Sequence, residues 1–150
     1  MKNKRKAVTL IELLIVVLII TAFAFIAIPR MGMANIFKGK ADTAASTMAS
    51  AIRYCRTLAI ANAAVNQQGY RLDITGSGSS RGFQIVNLQT SQVVKTETLP
   101  EGVSCTGAND FRFGPLGNRL GDTDNLTVSA GGKSYVVSVV SATGMVKCSQ

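Results

Sequence analysis

The sequence predicts an α+β protein. One long N-terminal helix, apolar throughout its first half, packs by its second half against an antiparallel β-rich head. Three observations carry this. Residues 8–28 form an almost unbroken apolar run. Residues 37–62 repeat apolar and small side chains at three- and four-residue steps. From Gly69 onward the chain turns to short alternating runs between turn residues, and twelve of the fourteen glycines lie there.

At 150 residues the chain fits one domain plus an accessory segment. Four segments are expected: a basic leader at 1–7, a transmembrane helix at 8–29, its amphipathic continuation at 30–66, and the head at 67–150. The formal charge is +8, yet Lys2, Lys4, Arg5 and Lys6 supply four of the sixteen cations. Without the leader, twelve cations face eight acids and only +4 remains. The basic balance is therefore weak evidence for a nucleic-acid partner.

The leader MKNKRKA gives way to VTLIELLIVVLIITAFAFIAI, where Glu12 is the only charge. From Leu13 to Ile28 only Thr21 is polar. Val8–Ile28 as helix spans about 31 Å, the thickness of a bilayer's hydrocarbon core. The leading cations stay on the cytoplasmic side, so the chain beyond Ile28 faces outward. An ordinary secretory signal cut near Ala34 would have a shorter apolar core and no Glu inside it. A plain signal anchor explains the length but gives no reason for Glu12.

Pro29 and Gly32 should bend or loosen the helix, and the pattern then continues. Phe37, Ala41, Ala44, Met48, Ile52, Cys55, Leu58 and Asn62 mark a narrow apolar stripe running to about Val65. Strands are expected in YRLDIT, FQIVNLQ, QVVKTETL, GVSC, DFRF, LTVSA, KSYVVSVV and MVKC. The flexible GSGSSRG joins the first two, and Gly131-Gly132 marks a hairpin. Together they read as a meander-like antiparallel sheet covering one helix.

Composition argues against catalysis. There is no histidine, and Cys55, Cys105 and Cys148 lie too far apart for a CxxC redox or zinc signature. No enzyme, cofactor or metal site is expected. In an exported head Cys105 and Cys148, both at strand ends, would bridge and close a loop of about forty residues. Cys55 on the helix stripe would be a buried free thiol. A Cys55–Cys105 pairing stays open. Asp122, Asp124 and Asn125 in GDTDN offer oxygen ligands for Ca²⁺, but the EF-hand spacing and its distal Glu are missing, and a polar turn accounts for them.

The run KAVTLIELLIVVLIITAFAFIAIP resembles the class III signal of type IV prepilins and type II secretion pseudopilins, through Thr9, Leu10, Ile11, Glu12 and Leu13. The resemblance implies a pilin fold. It also implies prepilin-peptidase cleavage between Ala7 and Val8, then N-methylation of Val8. Ala7 stands where Gly is usual and Val8 where Phe is usual. Glu12 would pair with the α-amine of an adjoining subunit during assembly. Unpaired in hydrocarbon it costs about 2.5–3.5 kcal/mol. The other reading of Glu12 is a carboxylate near the interface, reaching for water.

The C-terminal region resembles the minor pseudopilin H and FimT/FimU-like minor pilin branch. It shares spaced helix arginines (Arg53, Arg56), the F-x-P-x-G element at Phe113, Pro115 and Gly117, and a last strand introduced by Thr143-Gly144. The function implied is a structural subunit of a pilus or pseudopilus, anchored in the inner membrane with its head outside. Its partners would be other subunits and the prepilin peptidase. The alternative is a FimT-like DNA-binding subunit for DNA uptake. Its usual Gly-Arg-x-Arg motif is here Gly144-Met145-Val146-Lys147, which lacks the first Arg. Lys147 with Arg112 and Arg119, joined by Arg81 and Lys133, would supply the basic face. A solvated basic surface is the other reading of these cations.

Overall fold

A computed structural model describes residues 9–27, 33–77, 80–121 and 125–150, with side chains over 9–23, 39–76, 81–121 and 125–150. The chain divides into two compact units, Met1–Met33 and Ala34–Gln150. The first holds α1 (Leu10–Ala27), 18 residues long. Among the described residues no helix is long and apolar enough to cross a membrane. The expected span, Val8–Ile28, extends past α1 at both ends. The predicted bend at Pro29 and Gly32 lies outside the described residues.

In the second unit α2 (Met33–Ala61) supplies the helix of the core. The stripe expected of it is buried at Ala41, Ala44, Met48, Ile52 and Cys55, each at 0% exposure. Ala45, Ala49 and Ala59 widen it. Side chains this small let the strands approach the helix axis closely, so burial is achieved with little volume. The helix ends four residues short of Val65. Its last carbonyls are taken up by Asn62 Nδ2 bonding the Leu58 oxygen at 2.9 Å and by tighter turns through Ala63 and Val65.

Among the described residues nine strands follow: β1 (Tyr70–Ser77), β2 (Ser80–Asn87), β3 (Val93–Thr98), β4 (Ser104–Gly107), β5 (Asp110–Phe113), β6 (Arg119–Leu120), β7 (Leu126–Ala130), β8 (Lys133–Val139) and β9 (Val146–Ser149). They form two antiparallel sheets, β3-β2-β1-β5-β6 and β4-β7-β8-β9. The expectation of one meander is therefore corrected. β1 pairs with β5 as well as β2, placing Leu72 between Ile85 and Phe111 in one apolar row. The chain between β3 and β5 leaves the first sheet to found the second. The Gly131-Gly132 hairpin forms as expected, with both residues at positive φ and Ala130 facing Lys133.

One core joins the helix and both sheets. Met48, Ile52 and Cys55 pack with Leu72, Phe83, Ile85, Phe111 and Phe113 of the first sheet and with Leu126, Val128 and Val137 of the second. Alternation decides which residues point inward. Along β7, Leu126, Val128 and Ala130 are buried while Thr127 and Ser129 are not.

Candidate assembly site

The first turn of α1 is built by Thr9. Its Oγ1 accepts a hydrogen bond from the Glu12 backbone N–H at 3.3 Å, and its carbonyl takes the Leu13 N–H at 3.2 Å. Thr9 is thus the N-cap, satisfying a donor that an apolar segment would otherwise leave unpaired. The T-x-x-E spacing is the signature of a capping box, and that signal identifies Thr9 from sequence. The cap also fixes where the helix begins, and hence the turn on which Glu12 stands.

Glu12 is exposed, among apolar neighbours that are exposed too, from Leu10 at 82% to Val16 at 49%. Thr21, the other polar side chain between Leu10 and Phe23, returns its hydroxyl to the Leu18 carbonyl at 2.9 Å. Through Phe23 this leaves a helix apolar on every side with one carboxylate near its start. A surface of this kind is suited to burial in lipid or among other helices, where its single charge needs a partner. Ala7 and Val8 lie outside the described residues.

The head residues singled out from sequence are dispersed. Arg112 on β5 is exposed, its Nε 2.7 Å from Asp110 Oδ2. Arg119 on β6 is buried, its guanidinium carbon 4.8 Å from the Phe111 ring centroid. Lys147 is exposed on β9, in the other sheet. A shallow cavity of about 260 Å³ brings Arg112 and Arg119 together with Asp110 and the backbone near Ala108. The structure does not bring Lys147 into that group. Burial beside Phe111 leaves little of Arg119 to meet a phosphate. Asp122 and Asp124 fall outside the described residues.

The cysteine expectation is corrected. All three thiols are free. Cys105 on β4 and Cys148 on β9 occupy opposite edges of the four-stranded sheet. Three strand spacings separate them by about 14 Å, against the roughly 4.4–6.8 Å between Cα atoms that a disulfide requires. Strand-end position alone did not reveal which edge each would take. Cys55 is a buried free thiol, as expected. Burial, with the negative charge of Asp73 adding, pushes it up to about 12.

Arg53 and Arg56, marked in the sequence only as spaced helix arginines, make contacts that their spacing did not reveal. Arg56 Nε donates to the Gly117 carbonyl at 3.0 Å, and Arg53 reaches the Val146 carbonyl at 3.4 Å. The helix arginines thereby hold the F-x-P-x-G turn and the start of β9. Gly144 closes that contact at φ 65°, where a Cβ would collide with the Gly117 carbonyl oxygen.

The family model of the prokaryotic N-terminal methylation motif matches residues 2–28. No curated protein and no solved structure matches the chain.

Proposed function

We propose, from the premise that this chain carries a type IV prepilin-like N-terminal methylation motif at residues 2–28, that it is a non-catalytic filament subunit. It would be a minor pilin or pseudopilin of a type IV pilus or type II secretion system. The observation supporting this most strongly is the capped, all-apolar start of α1 with Glu12 as its lone charge. The leader is removed between Ala7 and Val8 by a prepilin peptidase, and Val8 is methylated. The α-amine so created lies four residues before Glu12 in the sequence. In the inner membrane α1 anchors the subunit, with the head on the outer side.

Assembly follows from energetics. Leaving the membrane for the filament exchanges lipid for neighbouring helices around α1, which costs little because both are apolar. Glu12 makes the exchange selective. Its charge is costly in hydrocarbon and is neutralised when an adjoining subunit's amine sits against it. That pairing also sets the axial offset between two helices.

Glu12→Leu tests this reading. Thr9 bonds the residue-12 backbone and not its side chain, so the cap survives. Insertion and leader removal should proceed, while the sheared-filament pool should lose the subunit and the membrane pool gain it. A wild-type ratio between the pools would show that Glu12 has no part in recruitment.

The DNA-binding alternative has less support. Lys147 is on a strand of the other sheet from Arg112 and Arg119, and Arg119 is buried.

A further inference from the structure

Where α2 ends, three pieces of chain converge. They are the last turns of the helix, the Gly114–Gly117 turn and the turn before β9. They pack closely: a Cβ on Gly117 would crowd the Ile60 side chain, and one on Gly144 would strike the Gly117 carbonyl. Beside these contacts stand three exposed apolar side chains, Leu116 at 89%, Met145 at 49% and Ile60 at 45%.

Leu116 is not loosely displayed. Gly117 N–H bonds the Gly114 carbonyl at 2.8 Å, Gly114 N–H bonds the Asn118 carbonyl at 3.0 Å, and Arg56 holds the Gly117 oxygen. With Pro115 fixing its own φ, the turn is closed on both sides. An apolar side chain held out this way loses little further freedom on being covered, which favours binding.

The surroundings are cationic. Arg56 bonds the Gly117 carbonyl and Arg53 the Val146 carbonyl, exposed Lys147 follows two residues after Met145, and no Asp or Glu occurs in residues 43–72, 111–121 or 126–150. We propose that this patch docks a segment of a partner protein that presents carboxylates beside aliphatic side chains. The inference deepens the filament-subunit reading and rests on it. Aliphatic burial supplies the attraction, and charge complementarity supplies orientation and choice of partner. A nucleic acid fits less well: its phosphates would meet the cations, but neither turn offers an aromatic platform for a base.

The test places a photo-crosslinking amino acid at Leu116 in the full chain, expressed in its native cells, with adducts mapped by mass spectrometry. The same residue at Thr96, exposed on β3, is the background. The expected adduct is a protein segment with Asp or Glu within about one helical turn of the linked residue. Its yield should stand well above the Thr96 background and fall about tenfold in Lys147→Glu, which reverses an exposed charge. Adducts confined to nucleic acid, adducts to segments without carboxylates, a yield no higher than at Thr96, or indifference to Lys147→Glu would each overturn the proposal. The N-terminus is read on the same sample. A Val8 terminus with no adduct overturns the docking inference alone, whereas any other terminus overturns the filament reading beneath it.

Discussion

Cys55 shows how burial in this core sets chemistry at the level of one residue. Its thiol stays protonated to about 12, while in the unfolded chain it would ionise near 9.0. Its folded pKa is the raised one, so its contribution to stability is complete below pH 9 and is lost as pH climbs through 12. Cys105 is also pushed up by burial, with Arg81 pulling the other way. Cys148 is exposed. Alkylation of the native protein at pH 8 should therefore modify Cys148 and spare Cys55, and denaturation should release all three. A native Cys148 that resists the reagent would mean that it is bridged after all. Reaction of native Cys55 would show that its site is open to solvent.

At the scale of the element, the joint between α2 and β1 depends on Asn66, which is 2% exposed. Its Nδ2 donates to the Gly69 carbonyl and to Asn87 Oδ1, both at 2.9 Å. Its Oδ1 accepts the N–H groups of Gly69 at 2.8 Å and Gln68 at 3.0 Å. Asn87 Oδ1 in turn receives the N–H groups of Gln89 and Thr90. One amide thus ties the helix exit to the turn between β2 and β3. Asn66→Ala strands several buried groups and should cost about 2–3 kcal/mol in chemical denaturation. Asn66→Asp keeps the shape but sets a carboxylate against two acceptor oxygens, so it should not rescue. A loss below half a kilocalorie per mole would mean that water replaces these bonds.

The same scale shows why some elements were legible in the sequence and others were not. The helix stripe from Ala41 to Cys55, the Gly131-Gly132 hairpin and the alternation of Leu126, Val128 and Ala130 are local patterns. Local sterics and periodicity are enough to read them. The cap at Thr9 is a local pattern too, T-x-x-E, although the sequence reading marked Thr9 only through its family resemblance. The division into two sheets was not, because nothing near β5 says that its partner is β1, some forty residues earlier. The bridge expected between Cys105 and Cys148 failed for that reason: which edge a strand takes is a global property. Asn66 looked like any loop asparagine, since its partners Gly69 and Asn87 become neighbours only after folding. Glu12 was legible by contrast, as a lone charge in an apolar run.

For the whole molecule, the two units divide the work proposed here. The head is closed around a core shared by α2 and both sheets, and it presents Leu116, Met145 and Ile60 among cations. The N-terminal unit has its apolar surface exposed on α1 and one carboxylate near the start. Such a chain makes sense if α1 is covered by lipid first and by neighbouring subunits afterwards. That sequence of events requires the leader to come off at one bond, because the amine meant to meet Glu12 does not exist before the cut. Intact-mass measurement of the protein from its native membrane and filament fractions tests this most directly. The expected species lacks residues 1–7 and carries a methyl group on Val8. An unprocessed N-terminus in filaments, or a mature terminus near Ala34, would contradict the account.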